Sequence, residues 1–338
     1  MSSVPIPETF RALVTQRADG QVTSGIEARS IAQLTEGDVI VRTRYAGVNF
    51  KDCLSIRGEA KIITEFPRIA GIEAVGCVVA SGAPDFSPGD EVLVHGFQTG
   101  IAYDGGFSEW MRIPGKHLLK LPPGLSARDV ATIGVPGFTA AMALARFESY
   151  GLDPQAGPIA VSGANGAVGM LAISIFSRAG YQVTAITRRP GQADMLRRLG
   201  AADVVDTRVA LESTRPLEAP RYAAAVDNVG GRVLPWMLRS MAEGGLVASV
   251  GNAGGNSFEG SVLPFIMRRV HLFGIVANAT WTERKQLWAR LAGDWKPDFT
   301  ALAPHVHTVA LDELLAHAGQ QLQGATSGRT LVDYGPAQ

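Results

Sequence analysis

The chain has 338 residues, 46% of them hydrophobic, enough to bury a large core and, on length alone, better suited to two domains than one. Lys plus Arg equals Asp plus Glu at 31 each, so no sequence-wide field draws the chain toward nucleic acid or anionic lipid. Its two cysteines, Cys53 and Cys77, belong to no CxxC or Cys/His spacing, which argues against a disulfide framework and a structural zinc site.

The opening residues, MSSVPIPETFRALV, lack a basic segment followed by an apolar one, and no uninterrupted apolar run approaches a membrane span. The expectation is a soluble, cytoplasmic protein with no membrane partner. From Phe10 to Leu121 the chain reads as strands with turn punctuation. Asp38 to Tyr45 alternates polar and apolar residues, as a half-buried strand does, and Gly71 to Val79 and Glu91 to Val94 are further strands. Ser87-Pro88-Gly89-Asp90 is a turn by composition. Pro122-Pro123-Gly124 then punctuates the chain, and Ser126-Ala127-Arg128-Asp129 signals a helix N-cap.

Beyond that point helices and strands alternate. A helix is expected over Thr139 to Ser149, then a strand, turn and helix over Ile159 to Gly180, then a second strand over Tyr181 to Ile186. Gln192 to Leu199 reads as a short helix stopped by Gly200. Val204-Val205, Ala223 to Asp227, Leu246 to Val250 and Val270 to Ile275 read as strands, the middle two apolar enough to be buried on both faces of a parallel sheet. Helices near Glu283 to Leu291 and Leu311 to Leu322 and a strand over Arg329 to Asp333 close the chain. The expected fold is α/β, with a doubly wound parallel domain over residues 126–276 inserted into a β-rich domain made from residues 1–125 and 277–338. Ligands of such sheets sit beyond the carboxyl ends of the strands, which places the expected active cleft between the domains.

Ile159 to Gly180 carries the chemistry. In the pattern G-x-G-x-x-G, Gly166 and Gly169 occupy the second and third positions and Ala164 the first. Gly166 lets the backbone approach a pyrophosphate, Gly169 lets helix and strand pack closely, and the amides at the helix start hold the phosphates. Tight packing alone is the competing reading of these glycines. Where NAD sites place an acid at the end of the second strand, this chain reads Thr187-Arg188-Arg189, with no acid until Asp194. Two guanidiniums suit a 2′-phosphate, so NADPH is the expected cofactor; solvated surface arginines are the alternative.

These residues resemble the medium-chain dehydrogenase/reductase superfamily, and within it the zinc-free quinone-oxidoreductase branch. Gly163-Ala164-Asn165-Gly166-Ala167-Val168-Gly169 looks like that branch's cofactor loop, and Asn49-Phe50-Lys51-Asp52 its N-Y-K-D segment. Gly71-Ile72-Glu73-Ala74-Val75-Gly76 is similar to the G-H-E-x-x-G of zinc alcohol dehydrogenases with the histidine replaced. Asn49 to Gly58, Leu263 to Val270 and Gly328 to Asp333 look most like the acrylyl-CoA reductase group. The resemblance implies a Rossmann domain in a GroES-like catalytic domain, and a dimer paired through the strand at Val270 to Ile275. It implies cofactor contacts at Gly163 to Val168, at Thr187, Arg188 and Arg189, and at Asn228, Gly251 and Arg329. Where that group has G-T-A-G-F-T-A, this chain has Gly134-Val135-Pro136-Gly137-Phe138-Thr139-Ala140, a change that removes a hydroxyl and an amide donor.

Without metal ligands at Asn49 and Ile72, hydride addition to an activated double bond is the expected reaction, with acrylyl-CoA or a similar enoyl thioester as the expected small-molecule substrate. Reduction of a quinone or free enone, and a non-catalytic nucleotide-binding role, are the rival readings. The resemblance makes Asn49 and Asp52 orienting groups, which a helix cap at Asn49 would explain equally well. Tyr103 is a candidate acid. Tyr45, Phe50, Arg57 and Arg268 are candidate substrate contacts. His305 and His307, the only close histidine pair, read as a surface strand or loop and not as metal ligands.

Overall fold

The computed structural model describes residues 5–335. In chain order, β1 (Phe10–Ala18) and β2 (Gln21–Arg29) form an antiparallel hairpin, followed by β3 (Val39–Val48) and α1 (Phe50–Ile56). Short β4 (Arg68–Ile69), then β5 (Glu73–Ser81), β6 (Glu91–His95), β7 (Trp110–Ile113) and β8 (Leu119–Lys120) complete the N-terminal set. Strand β3 alternates buried and half-buried residues over Val39 to Tyr45, as its pattern requires, but continues to Val48.

Helix α2 (Ala127–Ser149) leads into β9 (Ile159–Val161), α3 (Ala167–Arg178), β10 (Val183–Thr187), α4 (Ala193–Arg198) and β11 (Ala201–Asp206). Next come α5 (Thr207–Glu212), β12 (Tyr222–Asp227), α6 (Val233–Arg239), β13 (Met241–Ser249), α7 (Leu263–Arg268) and β14 (His271–Gly274). Helices α8 (Trp281–Ala292) and α9 (Phe299–Leu302), β15 (Val306–Val309), α10 (Leu314–Leu322) and β16 (Arg329–Asp333) end the chain.

The chain divides into two compact units, residues 1–135 with 305–338, and residues 136–304. Both boundaries lie later than the expected 125/126 and 276/277. Residues 126–135 stay with the first unit because the Val135 amide donates to Glu73 and the Ala131 carbonyl accepts from Arg329. Residues 277–304 join the second because Arg290 pairs with Glu148 at 2.5 Å and the Asp298 amide donates to Ser174.

The first unit holds a three-stranded sheet, β2-β1-β4, and a seven-stranded one ordered β15-β16-β3-β5-β6-β8 with β7 also on β3. Phe10, Leu13, Val48, Phe107, Trp110 and Leu314 fill one of its cores. The second unit is a six-stranded, wholly parallel sheet ordered β11-β10-β9-β12-β13-β14. Counted along the chain this is 3-2-1-4-5-6, the doubly wound order of the Rossmann fold, whose direction reverses between β9 and β12. Every residue of β9, β10 and β12 is buried, which is why those strands read as apolar runs.

Helix α2 begins well before the expected Thr139. At 23 residues it is long and apolar enough to cross a membrane by length and composition, though Arg128, Asp129, Arg146 and Glu148 interrupt its ends. Yet 78% of its most apolar window is buried, and it is broken at Gly134 (φ 44°, ψ −153°) just before Pro136, as a core helix can be. Its start carries a reciprocal cap: the Ser126 amide and hydroxyl donate to Asp129 Oδ2 at 3.0 and 2.7 Å, and the Asp129 amide donates back to Ser126 Oγ at 3.2 Å. Ser126→Ala is therefore expected to cost about 1 kcal/mol, read as a lowered urea midpoint with unchanged slope.

Candidate active site

Strand β9 ends at the switch point and the chain turns through Ser162 and Gly163 (φ 59°) into α3, capped by Gly166. Because the cap has no side chain, the first amides of α3 meet no side-chain acceptor of their own. A Cβ on Gly169 would lie 2.4 Å from the Gly163 carbonyl oxygen and 2.7 Å from Ala164 Cα, so only glycine allows this approach of helix to loop. Ala164 and Asn165 are buried, Ala167 and Val168 half-buried, and Gly166 exposed at the mouth of the turn. This cradle fits a pyrophosphate, with the helix dipole adding to the free amides.

The neighbouring strand braces the cradle. Ser162 Oγ donates to Asp227 Oδ1 at 2.7 Å and accepts from the Asn228 amide at 2.8 Å, while Asn228 Nδ2 donates to the Ser162 carbonyl. Burial pushes the Asp227 carboxyl up, and its bonds from Ser162 and the Val229 and Gly230 amides oppose that rise. The Gly251 amide donates to the Asp227 carbonyl at 3.1 Å. Asn228 and Gly251 are thus brought beside the loop. At the end of β10, Thr187 is buried, Arg188 exposed and Arg189 half-buried.

In the first unit, four charged or polar side chains close on one another. Asn49 precedes α1, and its amide donates to Asp52 Oδ2 at 2.9 Å, the cap that the alternative reading anticipated. Asn49 Nδ2 donates to Glu73 Oε1 at 2.7 Å and to Asp52 Oδ2 at 3.1 Å, so both its hydrogens are committed. Asp52 Oδ1 accepts from the Ile72 amide at 3.0 Å. Glu73 accepts from Arg329 Nη2 at 2.7 Å and, through Oε2, from the Val135 amide at 2.7 Å. A Cβ on Gly134 would sit 2.2 Å from that oxygen, which is why the break in α2 falls on a glycine with positive φ.

Arg329 requires a correction. Expected at the cofactor phosphates, its side chain is 1% exposed and its donors go to Glu73, the Ala131 carbonyl at 2.8 Å and the Val48 carbonyl at 3.3 Å. A buried carboxylate needs a counter-charge, and Glu73 takes this one. Arg268 also moves off the expected list: it donates to the carbonyls of Arg239, Met241 and Glu218 and staples α7 to its own unit. In the sequence Glu73 stands out only within the Gly71 to Gly76 pattern, and nothing local signals its partner 256 residues away.

Of the other candidates, Tyr45 is buried on β3 with the Arg44 guanidinium 5.3 Å from its ring centre, Phe50 is half-buried at the start of α1, and Arg57 is exposed at its end. Tyr103 is half-buried in the loop after β6, edge-on to His117 at 5.1 Å, with Phe97 stacked on the same imidazole at 4.8 Å. His305 ends a 3-10 turn and His307 lies exposed on β15. Among the described residues no group of three His, Cys, Asp or Glu side chains could hold a metal ion.

Residues 35–123 match the alcohol dehydrogenase GroES-like domain and residues 167–293 the family model described as zinc-binding dehydrogenase. An Escherichia coli protein named provisionally as the acrylyl-CoA reductase AcuI is 39% identical over 324 residues, covering 96% of this chain and 99% of its own. The chain belongs to the zinc-free branch of the medium-chain dehydrogenase/reductase superfamily. A Bacillus subtilis member, YhfP, named provisionally as a quinone oxidoreductase, is 36% identical over 325 residues, covering 96% of this chain and 98% of its own; its structure, solved with NAD bound, superposes with a TM-score of 0.90. The Salmonella enterica oxidoreductase yhdH, solved with NADP, has a TM-score of 0.90 at 37% identity over 96% of this chain and all of its own. Ile72 offers no side chain to a metal, and its amide donates to Asp52 Oδ1 at 3.0 Å.

Burial raises the Asp52 carboxyl from 3.8 to about 7, against the opposing bonds from Asn49 and Ile72. The folded chain therefore keeps a proton there across roughly pH 4 to 7 that the unfolded chain has released. Asp52 contributes most to stability below about pH 4, and that contribution falls as pH rises to 7. Urea midpoints measured from pH 4 to 8 are expected to fall more steeply for the unmodified chain than for Asp52→Asn; equal slopes would contradict this.

Proposed function

We propose that this chain reduces the activated C=C bond of a short α,β-unsaturated thioester such as acrylyl-CoA, with NADPH as hydride donor. The observation that carries the reading is likeness along nearly the whole chain to the Ruegeria pomeroyi acrylyl-CoA reductase AcuI, at 36% identity over 96% of this chain and 99% of its own. NADPH supplies the hydride for the β-carbon; the chain supplies position and electrostatics. The start of α3 and the Gly163 to Val168 turn hold the pyrophosphate. Arg188 and Arg189 take the 2′-phosphate, helped by the lack of a carboxylate at the end of β10.

On the substrate side, charge building on the carbonyl oxygen calls for a hydrogen-bond donor, and the α-carbon needs a proton. Asn49 and Asp52, with their hydrogen bonds spent on each other, Glu73 and Ile72, fix the start of α1 rather than touch a reacting atom. Tyr103, half-buried and packed edge-on against His117, is the candidate proton donor. A quinone reductase is the second reading, favoured by the likeness to YhfP.

A homodimer belongs to the same proposal. Among the described residues, strand β14 ends the six-stranded sheet and leaves one row of backbone groups without a partner strand, an edge that a second copy can extend across a two-fold axis. Val262, Ile266, Met267 and Val276 flank it with large apolar side chains more than half exposed.

Three outcomes are expected. Loss of NADPH absorbance should be fastest with acrylyl-CoA or crotonyl-CoA and slower with benzoquinone or a simple enone, and Arg188→Ala should raise the KM for NADPH about tenfold while sparing NADH. Consumption with none of these substrates would favour a non-catalytic role. Light scattering should give twice the mass of one chain; a monomer would refute the pairing through β14.

A further inference from the structure

Within the second unit, four residues close a hydrogen-bond circuit at the end of β10. Thr187, the last residue of that strand and 2% exposed, donates its hydroxyl proton to Asn165 Oδ1 and accepts from the Arg189 amide at 2.8 Å. Asn165, 7% exposed in the turn before α3, donates through Nδ2 to Gln192 Oε1 at 2.8 Å. Gln192 completes the ring with its own amide, which donates to the Arg189 carbonyl at 2.9 Å. Both backbone groups of Arg189 are therefore held, one by Thr187 and one by Gln192, and Asn165 braces the two holders. Pro190, at the start of the 3-10 turn Pro190–Gln192, fixes the next φ.

The strand itself does not require this arrangement. A valine at 187 would satisfy the packing and strand preference of β10 equally well, and a smaller residue at 165 would still let the chain turn into α3. What the buried polar groups add is one backbone conformation for Arg188-Arg189, braced from the phosphate loop. Arginine side chains lose affinity to the cost of ordering their long stems, and a fixed base lowers that cost.

We propose that Asn165, Thr187 and Gln192 are positioning residues that set the preference for NADPH over NADH, by holding the Arg188-Arg189 backbone in one conformation for the adenosine 2′-phosphate. This rests on the NADPH reading above. The circuit joins the loop that holds the pyrophosphate to the residues that read the 2′-phosphate, so the two parts of one dinucleotide are recognised by a single braced surface.

The test is fluorescence titration of the full chain with NADPH and with NADH. Thr187→Val and Gln192→Ala should each weaken NADPH about tenfold and NADH less than about twofold. Gln192 is half-buried on the surface turn, so its replacement leaves the core intact. Thr187→Ser, which keeps the hydroxyl, should restore most of the NADPH affinity. In an Arg188→Ala/Arg189→Ala background, Thr187→Val should remove no further selectivity. Equal losses for both nucleotides, no loss at all, or no rescue by serine would overturn the positioning role while leaving the NADPH reading standing. An unmodified chain that binds NADH as tightly as NADPH would overturn both.

Discussion

The first unit depends on one buried carboxylate. Glu73 is taken out of water on β5 and is tolerable there only because Arg329, Asn49 and the Val135 amide all donate to it. Each donor comes from a different part of the chain: the final strand, the start of α1 and the break in α2. Satisfying a single charge thus fixes where β16 lies beside β3, where α1 begins and where α2 must bend. Removing Arg329 alone would strand that charge, a loss of the order of 3–5 kcal/mol for a buried pair of this kind.

The second unit is organised by backbone geometry. Its parallel order reverses between β9 and β12, the one place where two neighbouring turns open away from each other and leave room for a ligand. Gly169 brings α3 against the loop, Ser162 and Asp227 tie the loop to β12, and Thr187 and Asn165 tie it to β10. The cradle is therefore held from both sides. That fits a site whose task is to place a cofactor and not to perform proton chemistry itself.

Much of this was legible in the residues. The strand-turn-helix at Ile159 to Gly180, the arginines after β10 and the cap at Asn49 all depend on neighbours within a few positions, where local pattern carries the information. The Glu73–Arg329 pair did not show because its partners lie 256 residues apart and no periodicity connects them. For the same reason Arg268 and Arg329 read as available cations, when burial had already assigned them to carbonyls and to Glu73. The cap at Ser126 was legible but its continuity with the helix over Thr139 to Ser149 was not, because Gly134 and Pro136 mark a bend within one helix. The unit boundaries shifted because α8 and α9 are bound by side-chain contacts to Glu148 and Ser174 that composition cannot reveal.

The place of β16 also dictates an order of assembly. All six strands of the inserted unit lie within residues 159–274, so that sheet can close as soon as its own segment has left the ribosome. The seven-stranded sheet of the first unit cannot, because the neighbour of β3, β16, follows the whole insert at residues 329–333. Until then Glu73 lacks Arg329, and the β3 edge stays open through the synthesis of the entire insert. A translational pause between residues 276 and 329 would leave that edge open longest.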